Sequence, residues 1–108
     1  MSNGYKPLFS HYIYARKPLE VLLAQLSDFS GVSIADIVGG GGKMELVACR
    51  VVFAKIGVTH YGYTYLEVGR RLRKSHTTIF HYLNIYKPTG YFDNLYCDFL
   101  REYPSYRR

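Results

Sequence analysis

The chain has no tryptophan, only two cysteines and only four prolines among 108 residues. No apolar run approaches the roughly 20 residues that a membrane-spanning helix requires, so no membrane partner is expected. Cys49 and Cys97 form no metal-ligand or redox spacing, which argues against a zinc module and a disulfide scaffold; both suit buried thiols in a reducing cytoplasm. The opening stretch, MSNGYKPLFSHYIYARKP, lacks the apolar core of a signal peptide. The expectation is a soluble, cytoplasmic protein. Acidic side chains are scarce where cations are dense: between residues 43 and 87 the only acids are Glu45 and Glu67. His76 and His81 stand five apart with no cysteine or carboxylate at ligand spacing. That leaves no zinc set and no acid–base pair, so neither an enzyme nor a metal or other cofactor is expected.

What is present is segregated positive charge. The net charge is +6, and residues 1–42 and 88–108 are each balanced. The whole excess therefore lies in residues 43–87, which carry eight cations: Lys43, Arg50, Lys55, Arg70, Arg71, Arg73, Lys74 and Lys87. Such clustering favours a polyanionic partner, although charge alone fits DNA, RNA or an acidic protein. The stretch GGGGK at residues 39–43 suggests a phosphate loop, but that motif needs glycine where Ile37 stands and Ser or Thr where Met44 stands. A flexible hinge is expected there, and no nucleotide binding.

Hydrophobic spacing predicts an all-α fold, a multi-helical bundle of about six helices in one domain over residues 17–108. Residues 1–16, aromatic and aperiodic, read as an N-terminal arm. Leu19, Leu22, Leu23, Leu26 and Phe29 share one helical face, which Gly31 ends. Ser33 is expected to cap a short helix. Residues 44–58 are apolar on nearly every side and predict a central buried helix. Thr64 and Glu67 form a T-x-x-E capping box for a helix to about Leu72; Ser75 is expected to cap the next, to about Tyr86. Phe92, Leu95, Tyr96, Phe99, Leu100 and Tyr103 predict a closing helix.

Two short capped helices, 64–72 and 75–86, joined by a tight turn behind a buried helix, describe a helix-turn-helix. Ile79, Leu83 and Tyr86 share the inward face, so Thr77, Thr78, His81 and Asn84 point outward, with His76 in the first turn. A recognition helix enters the major groove with that end leading. Its exposed N–H groups and dipole favour phosphate oxygens, and Arg73 and Lys74 add charge directly ahead of Ser75.

The stretch TYLEVGRRLRKSHTTIFHYL resembles the signature of the C-terminal DNA-binding domain of the bacterial replication initiator DnaA: a short helix, a basic turn, then His-Thr-Thr opening the recognition helix. The resemblance extends upstream through ACRVVFAKI and, more weakly, FSGVSIADIV, covering roughly residues 19–87. It implies sequence-specific binding of double-stranded DNA, in replication initiation or its regulation. His76, Thr77 and Thr78 fall at base-reading positions, Arg50 and Lys74 at backbone-contacting positions, and Thr64 at a phosphate contact. Lys43, with Gly42, stands near the family's minor-groove arginine. Four departures are visible: Ser75 replaces an acid, the turn is one residue shorter, Gly42 and Lys43 stand near where the family has its minor-groove arginine, and no ATPase module accompanies the domain. A freestanding repressor, a mobile-element factor and a competitor for initiator sites all fit. The other class of function is a protein-interaction module that binds a replication or regulatory protein without reading DNA.

Overall fold

The computed structural model describes residues 18–107, so the expected arm at 1–16 lies outside the described residues. It is all-α: six α-helices, with no strand among the described residues. No helix among them is long and apolar enough to cross a membrane.

Helix α1 spans Leu19–Ser30. It buries Leu19, Leu22, Leu23 and Leu26, each side chain contributing about 1.5–3 kcal/mol by leaving water. Phe29, at its solvent edge, still meets Phe99 edge-on at 5.7 Å. Gly31 ends the helix at φ 77°, a left-handed conformation open to glycine without a steric cost, and its N–H donates to Ser27 O at 3.0 Å. Helix α2 (Ile34–Val38) begins where the Ser33 hydroxyl accepts the Asp36 N–H at 3.1 Å, as the sequence predicts.

Helix α3 (Met44–Ala54) is the hub, touching all five other α-helices. Its seven residues from Ala48 to Ala54 are all buried. The expected helix over 44–58 does not stay α-helical. From Lys55 to His60 the backbone widens into a π-helical stretch before Tyr61. Gly57 lies inside it, where a Cβ would stand 3.1 Å from Val68 and 3.2 Å from Leu19. The widened turn thus brings the backbone itself against α1 and the next helix. The cysteines part company: Cys49 is in the core, whereas Cys97 is exposed, correcting its expected burial. Cys97 lies on the polar side of the closing helix, opposite Leu95 and Phe99.

Helix α4 (Tyr65–Leu72) has the complete capping box, with Glu67 N–H on the Thr64 hydroxyl and Thr64 N–H on Glu67 Oε1 at 2.8 Å. Helix α5 (His76–Asn84) is shorter than the expected 75–86. Both Ile85 N–H and Tyr86 N–H turn back to His81 O, closing the helix well before Pro88. Helix α6 (Gly90–Glu102) starts at a Thr89 cap, whose hydroxyl accepts Phe92 N–H at 3.1 Å. A 3₁₀ turn, Pro104–Tyr106, then folds Tyr106 inward between Phe99 and Tyr61, both at 5.5 Å.

The Tyr106 hydroxyl donates to Gln25 Oε1 at 2.5 Å, and its side chain is fully buried. Burial above all, with Tyr61 and Tyr103 beside it, pushes its phenol well above the usual range. A group whose folded pKa is raised stabilises the fold below its unfolded pKa, and that contribution is lost as pH rises. The melting temperature is therefore expected to fall once pH passes about 10, where unfolded tyrosine ionises. A melting temperature independent of pH up to about 11 would refute this. Tyr106→Phe should flatten the fall, at the cost of the Gln25 bond.

Candidate nucleic-acid interface

The α4–α5 unit sets the geometry of the candidate interface. Its turn is tight because Gly69 has no Cβ: one placed there would stand 2.6 Å from Lys74 O. Lys74 N–H donates to Gly69 O at 2.9 Å, and Arg73 N–H reaches Arg70 O at 3.3 Å. Arg73 itself sits at φ 57°, ψ 42°, the left-handed region. It is the one non-glycine residue with positive φ among the described residues.

From this turn α5 emerges with its N-terminus capped by Ser75, whose hydroxyl accepts Thr78 N–H at 3.2 Å. Ile79 is fully buried against the core, and Leu83 and Tyr86 pack at its edge, as the wheel predicts. His76, Thr77, His81 and Asn84 are all exposed. Thr78 is half-buried and its hydroxyl lies 3.1 Å from that of Ser75, so it faces the surface less fully than its neighbours. Thr64 is exposed, but its hydroxyl is already shared between Glu67 N–H and Glu67 Oε1. Lys43 is exposed at the N-cap of α3.

Two expected phosphate contacts have another role. Arg50 is 3% exposed, and its guanidinium is spent on backbone carbonyls. It donates to Ile37 O at 2.6 Å, Gly41 O at 2.6 Å, Gly39 O at 3.0 Å and Asp36 O at 3.1 Å. Lys74 follows the same pattern: its ammonium donates to Gly39 O at 2.7 Å and lies 3.3 Å from Val38 O and Leu72 O. Burial first, and the nearby Arg50 charge second, hold its pKa below the usual lysine value. Both cations thus cap the C-terminal carbonyls of α2, where the helix dipole is negative. Arg50 is thereby held inside the fold, and the half-buried Lys74 ammonium is turned toward these carbonyls. The same bonds correct the expected hinge: residues 39–41 are a loop pinned by two cations. The reason is physical. A helix end and a glycine loop expose a cluster of carbonyls, and a guanidinium fork suits several at once.

The cations left to solvent are fewer and elsewhere. Arg70, Arg73 and Lys43 are exposed with no protein partner among the described residues, whereas Arg71 is ion-paired with Glu20. Phe80 is an addition to the expected surface. It is 45% exposed on the outward side of α5, its ring 6.4 Å from Tyr65 and 6.2 Å from His81. Its position beside Asn84 on the helical wheel is the signal that would have placed it there. No cluster of three His, Cys, Asp or Glu able to hold a metal occurs among the described residues. No family model, curated protein or solved structure matches the chain.

Proposed function

We propose that the protein binds double-stranded DNA sequence-specifically, with α4 and α5 acting as a helix-turn-helix and α5 as the recognition helix in the major groove. One observation carries this reading. Ile79 anchors α5 in the core while the capped N-terminal turn presents His76 and Thr77 outward, with Arg70 and Arg73 exposed just ahead. His76, Thr77 and His81 supply hydrogen-bonding groups at base-edge reach; threonine and Phe80 also offer apolar contact to thymine methyls. Arg70, Arg73 and Lys43 supply the non-specific attraction to phosphates. The DnaA-like stretch over α4 and α5 supports the same assignment and suggests a role in replication initiation or its regulation.

With Arg50 and Lys74 committed internally, about three to five phosphates would be neutralised. Log affinity should then fall against log salt with a slope of about −3 to −4.5. Selection from random duplexes would give the preferred site. On it, His76→Ala and Thr77→Ala should each cost about 1–3 kcal/mol, with little loss on random DNA and no change in melting temperature. Arg73→Ala should instead weaken all duplexes alike. A flat salt response, or a protein ligand held more tightly than any selected duplex, would overturn the proposal in favour of a protein-interaction module.

A further inference from the structure

Away from the outward face of α5, a depression of about 450 Å³ lies between α1, α2 and the C-terminal end of α4. Its apolar lining is Leu23, Val38 and Ile34, the last 43% exposed. Its cationic lining is Arg70, Arg71 and Arg73. Glu20 also lines it and is ion-paired with Arg71, so one of these charges is already met. Arg70 and Arg73 are not: neither has a side-chain partner among the described residues, and both are exposed.

Arg73 is held there against its own backbone preference. Its φ of 57° is one that side-chain-bearing residues adopt at a cost and glycine adopts freely. That conformation ends α4 through the Arg73 N–H bond to Arg70 O, and it leaves the side chain exposed and without an internal partner. The apolar lining narrows what such a cation can meet. A phosphodiester strand is polar throughout and would leave Ile34, Leu23 and Val38 uncovered. An anion with an apolar body covers both parts.

We infer that this depression docks an acidic peptide segment of a partner protein. A large apolar side chain of that segment rests on Leu23, Ile34 and Val38, and flanking carboxylates pair with Arg70 and Arg73. Carboxylates suit guanidinium forks, which can hold them through two parallel hydrogen bonds. Arg70 and Arg73 are also the cations proposed to meet phosphates, so peptide and duplex should compete for them, whereas His76, Thr77 and His81 do not line the depression.

The test is a titration of the isotope-labelled full chain, followed by amide shifts, with a short synthetic peptide in which Asp and Glu flank one leucine. Shifts are expected at Ile34, Val38, Arg70 and Arg73. Replacing the peptide's leucine with serine should weaken binding about tenfold, and so should Ile34→Ser in the protein. Arg73→Gly should weaken binding by a similar factor while raising the melting temperature, which separates lost recognition from lost folding. Equal affinity for the serine peptide would reduce the site to charge alone and overturn the inference. So would shifts mapping outside the depression, or a DNA duplex shifting these amides where the peptide does not.

Discussion

Arg50→Ala is expected to destabilise the protein by about 3–5 kcal/mol, read from urea or thermal unfolding. The size follows from what the side chain does. Its guanidinium satisfies carbonyls of Asp36, Ile37, Gly39 and Gly41 in a site that water scarcely reaches. Truncation leaves several acceptors unpaired, at about 1–3 kcal/mol for each that stays dry, and opens a cavity beside Ile37. Set against a total stability of about 5–15 kcal/mol, the loss is a large fraction. Arg50→Lys should recover only part of it, because one ammonium cannot span four carbonyls. A phosphate-contacting arginine predicts the reverse pattern: weaker DNA binding with the melting temperature unchanged within about 1 °C. That outcome would return Arg50 to the interface and leave the loop at residues 39–41 without its anchor.

Arg50 also marks the boundary of what the sequence could tell. Gly31, Ser33, Thr64 and Ser75 were readable as helix ends because a cap is satisfied by atoms within a few residues along the chain. The inward face of α5 was readable for a related reason: helical period and apolarity fix Ile79 and Leu83 without reference to any other element. Arg50 and Lys74 differ because their partners are backbone carbonyls 9–14 and 35–36 residues away, with only Leu72 O local to Lys74. Carbonyls carry no side-chain signature, so two internal caps looked like two solvent cations. The π-helical stretch after Ala54 was hidden similarly, since the close approach of Gly57 to Leu19 and Val68 arises only once α1 and α4 are docked. The buried and exposed faces of α5 were thus legible, and the internal use of Arg50 and Lys74 was not. Arg70 and Arg73 stand in the same basic run as Lys74 but remain exposed.

Gly69→Ala is expected to destabilise the protein by about 2–4 kcal/mol, although Gly69 lies inside a helix, where alanine is intrinsically favoured by about 1 kcal/mol. Packing decides the sign. An added Cβ would lie 2.6 Å from Lys74 O, a backbone atom, and 3.5 Å from Ile79 Cγ1. A flexible side chain could swing aside, but this carbonyl belongs to the residue whose N–H is bonded to Gly69 O at 2.9 Å. Relief therefore requires the turn to open, which strains the Lys74 contact with Gly39 O and moves the Ser75 cap of α5. Two readouts should change together: unfolding free energy falls, and affinity for a selected duplex falls, since α5 is no longer held at the same angle to α4. Arg70→Ala, one residue along and exposed, serves as the control, with a stability change within about 0.5 kcal/mol. Should Gly69→Ala melt at or above the parent temperature, helix propensity would have outweighed the contact. The α4–α5 turn would then have to be looser than its 2.9 Å hydrogen bond indicates.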